Sequence, residues 1–413
     1  LDGPGAHRQQ LHFGGAFDQL GDHAGLFDGA AGGQLAVVGK QHRAFVAQGA
    51  GDQITFLDDG PSVTATASGA ALVLNDETAT SSVAATINTG AIVKGDDPNV
   101  AGTGAISTAT SGTAVVTATP VYGTDGAAAS NPLNYALAVT NATSGLTTTD
   151  GSVINLVLVG NVIVGQVSGG AFAGQAAFAI AINPTTGVVT VEQYLSLGHP
   201  NAANPDDTVQ LLANTLGVVV TATDSDGDTA TSGTIDISAQ IRFDDDGPSV
   251  SNVAGGASVT LDETGGFDTV TSATAVITAT LAYGADGAAA TGAAVYGIEL
   301  TAGGTSVASG IVTAVRDFAI TLFETSATTI VGRYTDGGGV VRDAFTVTIN
   351  ADGTLTVQQL VALEHLQDGG PALHNDALTL NGLISATVTI KDGDNDTATG
   401  KTEIGDQITF LDD

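Results

Sequence analysis

From Gly51 onward the chain is written in short runs where Val, Ile and Ala alternate with Thr or Ser. Ser62-Val-Thr-Ala-Thr-Ala67, Thr113-Ala-Val-Val-Thr-Ala-Thr119, Gly217-Val-Val-Val-Thr-Ala-Thr223 and Ala344-Phe-Thr-Val-Thr-Ile349 are examples. A period of two sends successive side chains to opposite faces of a strand. Thr on the wet face and Val or Ala on the dry face give each strand one buried side. Gly, Asn, Asp and Ser bound the runs, and Asn183-Pro-Thr-Thr-Gly187 and Asn350-Ala-Asp-Gly353 predict hairpin turns. The pattern predicts an all-β chain of antiparallel β-sandwiches. Helix is expected only near Val191 to Leu197 and at its partner, Val357 to Leu366.

The runs are organised by recurring words. Phe56-Leu-Asp-Asp-Gly-Pro-Ser-Val63 returns as Phe243-Asp-Asp-Asp-Gly-Pro-Ser-Val250 and begins again at Phe410-Leu-Asp-Asp413. Between these acidic hinges, Asp76-Glu77-Thr78 matches Asp262-Glu263-Thr264. Tyr122-Gly-Thr-Asp-Gly126 matches Tyr283-Gly-Ala-Asp-Gly287, and Ile163-Val-Gly165 matches Ile330-Val-Gly332. His199 matches His365, and Asp224-Ser-Asp-Gly-Asp228 matches Asp392-Gly-Asp-Asn-Asp396. The period is that of whole domains, not of a solenoid. It predicts a first repeat at 51–242, a second at 243–404 and the start of a third at 405–413. An insertion between Glu77 and Thr110, around Lys94-Gly-Asp-Asp-Pro98, is expected as a surface loop or added hairpin.

Residues 1–50 carry His7, His12, His23 and His42 at no ligand-like spacing and sustain no strand pattern, so a poorly ordered flank is expected there. The chain opens on Leu1, holds no Met and stops inside the third hinge, which suggests a window cut from a longer array. Cysteine is absent, so neither a disulfide nor a thiolate metal site is available. Asp plus Glu number 43 against 10 Lys plus Arg, a net charge of −33. That surface repels nucleic acid and anionic lipid and suits divalent cations. At 43% hydrophobic residues, disorder over most of the length is disfavoured. The apolar runs are too short and too interrupted for a membrane-spanning helix.

Candidate chemistry gathers in the carboxylates. Asp224, Asp226 and Asp228, and again Asp392, Asp394 and Asp396, stand at alternate positions in a turn before the last strand of each repeat. Three carboxylates at that spacing repel one another unless a cation relieves them, and hard oxygens on a Gly-containing loop suit calcium. The alternative is a solvated Asp-Gly turn. If the last strand, about Thr229 to Arg242, runs the length of its domain, each triplet faces the hinge before its own repeat. Asp392, Asp394 and Asp396 would then meet Asp244, Asp245 and Asp246, while Asp224, Asp226 and Asp228 would meet Asp58 and Asp59. Asp76-Glu77 and Asp262-Glu263 either join such sites or only end a strand. His199 and His365 fit hydrogen-bonded turns better than catalysis, and Tyr122 and Tyr283 fit packing. Nucleophile-elbow, phosphate-loop and His-Glu-x-x-His patterns are missing from the sequence, so no enzyme is expected.

Together the Asp-Asp-Gly-Pro-Ser-Val hinge, Leu261-Asp-Glu-Thr264, the Gly198-His-Pro200 and Glu364-His365 turns and the Asp-x-Asp-x-Asp-Thr-Ala-Thr word resemble a known class. They are similar to the tandem repeats of giant type I secretion adhesins of the repeats-in-toxin class, whose modules are cadherin-like or immunoglobulin-like. The resemblance covers about 52–413. It implies a secreted, extracellular or cell-surface protein in which calcium stiffens a spacer for adhesion or biofilm formation. Neighbouring repeats would be its partners, and other domains would reach a host or abiotic surface. The glycine-rich nonapeptides that name the class are not in this stretch. The alternative is that the repeats themselves grip a glycan or surface, which calls for clustered exposed aromatics; aromatic residues are 5% of the chain.

Overall fold

The computed structural model describes residues 57–69, 71–77, 81–365 and 376–412, and the backbone of two short paired strands, Leu26–Asp28 and Gln34–Ala36. The rest of the flank expected at 1–50 lies outside the described residues.

Two successive sandwiches are built to one plan. In the first, a six-stranded antiparallel sheet runs in spatial order Ser107–Thr110, Val189–Gln193, Ala176–Ile182, Val162–Val167, Val153–Val159 and Thr143–Thr147. The facing layer centres on Leu216–Thr223, paired with Leu133–Val139 on one side and with Thr229–Thr231 and Ile235–Asp236 on the other. Ser62–Ala67 with Val116–Val121 completes that side. The second sandwich repeats this with a sheet from Thr269–Thr271 through Leu355–Gln359 to Ser306–Val312, facing Ala294–Leu300, Ile384–Lys391 and Thr397–Glu403. Parallel strand pairing also occurs in each unit, between Val73–Asp76 and Ile241–Asp244 and between Val259–Asp262 and Ile408–Leu411.

Inward residues of the two layers fill each core: Ile163, Phe178 and Ile180 meet Leu137, Val218 and Val220 in the first. Phe178 packs against Phe243 with ring centroids 5.1 Å apart and planes tilted by 44°, and the matching Phe345 packs against Phe410 at 5.1 Å and 46°. Phe243, the first residue of the second hinge, therefore closes the first core. Both rings need space from a glycine across the sheet. A Cβ on Gly165 would lie 2.4 Å from Phe178 Cζ, and one on Gly332 2.6 Å from Phe345 Cζ. Gly165→Ala is expected to cost roughly 1–3 kcal/mol by overpacking, read as a lower denaturation midpoint at unchanged m-value.

Two expectations need correction. The helix at Val191 to Leu197 is instead the end of the strand Val189–Gln193 and the turn after it; Val357 likewise lies in the strand Leu355–Gln359. The alternation is broken there because Glu192, Gln193 and Ser196 are buried polar residues bound to other segments. The single last strand from Thr229 to Arg242 is broken by a 3-10 turn, Ser238–Gln240, which the Asp236 carboxylate fixes by accepting from Ser238 N at 3.0 Å. The chain there leaves one sheet for another. Among the described residues the insertion is a loop, one of the two forms expected. Ile87, Ala105 and Tyr194 pack it over the outer face of Ala176–Ile182. Ala179 and Ala181 form that covered face, where the uncovered second unit carries Thr346 and Thr348. Glu192 anchors it, accepting from Thr86 N at 2.7 Å, Ile87 N at 3.0 Å and Tyr194 OH at 2.8 Å. Burial pushes the Glu192 carboxyl up, but these donors outweigh it and hold it below its usual range.

No helix of the described residues is long and apolar enough to cross a membrane.

Candidate metal centre between the units

The joint is assembled from both sandwiches. From the second come the hinge and two loops. In the triplet loop, the Asp392 carboxylate accepts from Asn395 N at 3.1 Å and Asp396 N at 2.8 Å, closing the turn with one oxygen. Asn395 there takes φ 92°, as Gly227 takes φ 104° in the first unit, so the shared word uses residues that tolerate the left-handed region. The Tyr283-Gly-Ala-Asp-Gly287 loop brings in Asp286. From the first unit come Thr149, whose hydroxyl donates to Asp286 at 2.6 Å, and His199, whose backbone N–H donates to Asp394 at 3.0 Å. Val100 and Ile106 pack on Ala285 beside them, so the insertion also reaches across.

Ligand atoms of Asp286, Asp392 and Asp394 lie within 4.8 Å of one another, as do those of His199, Asp245 and Asp394. Asp286, Asp245 and Asp392 are buried. Asp245, Asp286, Asp392, Asp394 and Asp396 each hold a buried oxygen without a hydrogen-bond partner. Asp207 and Glu77 of the first unit do the same. Glu77 is fully buried, and its other oxygen accepts from Leu197 N at 3.0 Å and from the Gln193 amide. A buried polar atom left unpaired costs roughly 1–3 kcal/mol, more if charged. Such a concentration in one joint is more than hydrogen bonding within a marginally stable protein leaves unanswered.

The electrostatics agree. Burial first, then the Asp394 and Asp286 charges, pushes the Asp245 carboxyl up to about 9. Burial, then Asp394 and Asp286, takes Asp392 to about 8. Burial, opposed by the Thr149 bond and aided by Asp394, takes Asp286 to about 7. Burial and the Asp286 charge raise Glu77 well above the carboxylate range, and burial raises Asp396. Groups that resist ionising together in this way are met by a multivalent cation, and the donors are hard oxygens of the kind calcium takes.

The first unit repeats the geometry at its own leading end. Asp58, Asp226 and Asp228 form one group, Asp125, Asp224 and Asp226 another, and Asp58, Asp59 and Asp125 a third. The Asp224 carboxylate closes its turn by accepting from Gly227 N at 3.1 Å and Asp228 N at 2.8 Å. This group is mostly exposed.

Two of the residues singled out in the sequence stand apart. Asp244 lies in the strand Ile241–Asp244, and its side chain accepts from the Thr208 hydroxyl, away from the cluster. Asp246 accepts from Ala285 N at 3.1 Å, fastening the hinge to the loop, as Asp59 accepts from Thr124 N at 3.0 Å. Asp125, Asp286, Asp207 and His199 escaped the sequence reading as ligands. The signal for the first two lies in the repeated Tyr-Gly-x-Asp-Gly word.

The sequence profile of a family described as "Domain of unknown function (DUF5801)" matches residues 63–238 and 258–405. The chain belongs to the DUF5801 family. It carries two copies of the DUF5801 domain, and the second acidic hinge falls between the matched segments. No curated protein matches the chain. Among solved structures it is similar to protocadherin gamma B2 extracellular cadherin domains 3-6, at 11% identity over 82% of this chain and 70% of that one, with a TM-score of 0.22. The protocadherin gammaB7 EC3-6 cis-dimer structure matches at 10% identity over 92% of this chain and 95% of that one, with a TM-score of 0.14. Likenesses this slight carry no weight for the function of these DUF5801 domains.

Proposed function

We propose that these two domains are a spacer segment of a secreted bacterial adhesin, and that calcium bound between repeats stiffens it for adhesion or biofilm formation. One observation carries this reading: unpaired, buried carboxylate oxygens from both sandwiches converge on a single joint. Asp245, Asp286, Asp392, Asp394 and Asp396 would supply the ligands at that joint, with Glu77 and Asp207 closing it from the first unit. Asp58, Asp59, Asp125, Asp224, Asp226 and Asp228 would do so at the leading end. A cation held by both bodies replaces repulsion with shared coordination and fixes their relative direction. Strong negative charge and the resemblance to exported adhesin repeats support an extracellular place.

Grip by the repeats themselves is less well supported. The second unit does group Phe267, Phe318 and Tyr334 around an open cleft. Ser152 and Val167 occupy the positions matching Phe318 and Tyr334 in the first unit, so the cleft is not a property of the repeat.

Calcium titration by calorimetry, with small-angle scattering in parallel, tests the spacer reading. Uptake of calcium with a longer, stiffer particle is expected. A flat isotherm with unchanged scattering would reduce the joint to a solvated linker.

A further inference from the structure

We propose that the joint holds a second cation position of different chemistry, built on His199, Asp245 and Asp394, which takes a zinc-type divalent ion. The Asp286, Asp392 and Asp394 group beside it keeps calcium. The inference rests on the reading of the joint as cation-locked.

The imidazole carries the argument. The His199 side chain is 1% exposed. Its Nε2 lies 3.4 Å from the Phe243 carbonyl oxygen. A carbonyl only accepts, so Nε2 carries the hydrogen, and in the neutral ring Nδ1 is left with a lone pair. That Nδ1 is buried without a hydrogen-bond partner, 3.4 Å from Asp245 Oδ1. A lone pair turned toward two carboxylates is repulsive until a cation sits among them. Metal-binding histidines have this habit: the far nitrogen is tied to a carbonyl or carboxylate, which fixes the ring and leaves the near nitrogen free to ligate. The carboxylates are prepared too. Asp394 is held by the His199 N–H through one oxygen and leaves Oδ1 unpaired, and Asp245 accepts from Asp246 N at 2.8 Å through Oδ1 and leaves Oδ2 unpaired.

Imidazole nitrogen with two carboxylates suits zinc and its neighbours, whereas calcium takes oxygen alone. At the leading end of the first unit Asp58, Asp226 and Asp228 match Asp245, Asp394 and Asp396, and among the described residues that group contains oxygen donors only.

The test uses the whole chain, saturated with calcium and titrated with cobalt(II) as a coloured stand-in for zinc. The other histidines set a background, so the comparison is with His199→Ala. Wild type should bind one equivalent more cobalt than the variant, with a visible ligand-field band that zinc bleaches. The calcium isotherm of His199→Ala should be unchanged, which also reports that its joint is folded. If that variant loses calcium as well, His199→Gln decides, since its amide can keep the bond to the Phe243 carbonyl but offers no imidazole nitrogen, and it should lose the same cobalt equivalent. Equal cobalt uptake by wild type and variants would overturn the inference and leave His199 as a packing residue of the joint. Absence of calcium uptake, with the cobalt difference intact, would instead overturn the calcium reading.

Discussion

Stripped of divalent cations, the chain is expected to lose stability steadily as pH rises from about 4 to about 9. The sign follows from the direction of the ionisations. Asp245, Asp392 and Asp286 are raised in the folded joint to about 9, about 8 and about 7, whereas in an unfolded chain an aspartate ionises near 3.9. The folded state thus holds protons that the unfolded state has already released. Their contribution is complete below the unfolded value and is lost as pH climbs through the folded ones. Each pH unit between folded and unfolded ionisation is worth about 1.4 kcal/mol. The three carboxylates titrate as one group, so the sum is on the order of several kcal/mol rather than three separate totals.

That energy resides in the joint, so the chelated protein at pH 9 should show the two sandwiches loosened before either unfolds. Calcium reverses the trend, because it binds the ionised carboxylates and displaces their protons. Thermal denaturation and scattering, from pH 5 to 9 with chelator or with calcium, check both halves. A chelated chain whose melting temperature and dimensions ignore pH would show that the carboxylates are not held together in solution.

Much of this architecture was legible because its determinants are local. Ser62 to Ala67 alternates, and it is a strand; Asn183 to Gly187 carries turn chemistry, and it joins two paired strands. The Asp392 to Asp396 triplet and the acidic hinge were both legible as recurring words, although the single last strand expected to set each triplet opposite the following hinge is broken by the Ser238–Gln240 turn. What escaped depends on distant partners. Glu192 and Gln193 look like a polar helix face, yet one anchors an insertion and the other holds Glu77 across 116 positions. Thr149 meets Asp286 across 137 positions, and His199 meets Asp394 across 195. Pairings of that kind arise only when two domains abut, and no periodicity within one run encodes them.

Glu77 gives the largest effect expected from a single side chain, and the repeat supplies its own control. Glu77 accepts from the Gln193 amide and from Leu197 N; Glu263 accepts from the Gln359 amide and from Leu363 N at 3.0 Å. The two are the same residue in the same local bonds. They differ in what lies beyond. Glu77 is fully buried under the second unit, with one oxygen turned unpaired toward the Asp286 charge, whereas Glu263 is half-exposed at the far end. Glutamine keeps the accepting oxygen and removes only the charge. Glu77→Gln should therefore leave the sandwich intact, stabilise the cation-free joint and weaken its calcium uptake by about tenfold or more, because hard-cation affinity follows ligand charge. Glu263→Gln should leave the tightest calcium binding where it was. Calorimetry on both variants, with thermal denaturation in chelator, reads the difference. Equal losses from the two would place the role of this glutamate in folding its own domain and not in holding an ion between neighbours.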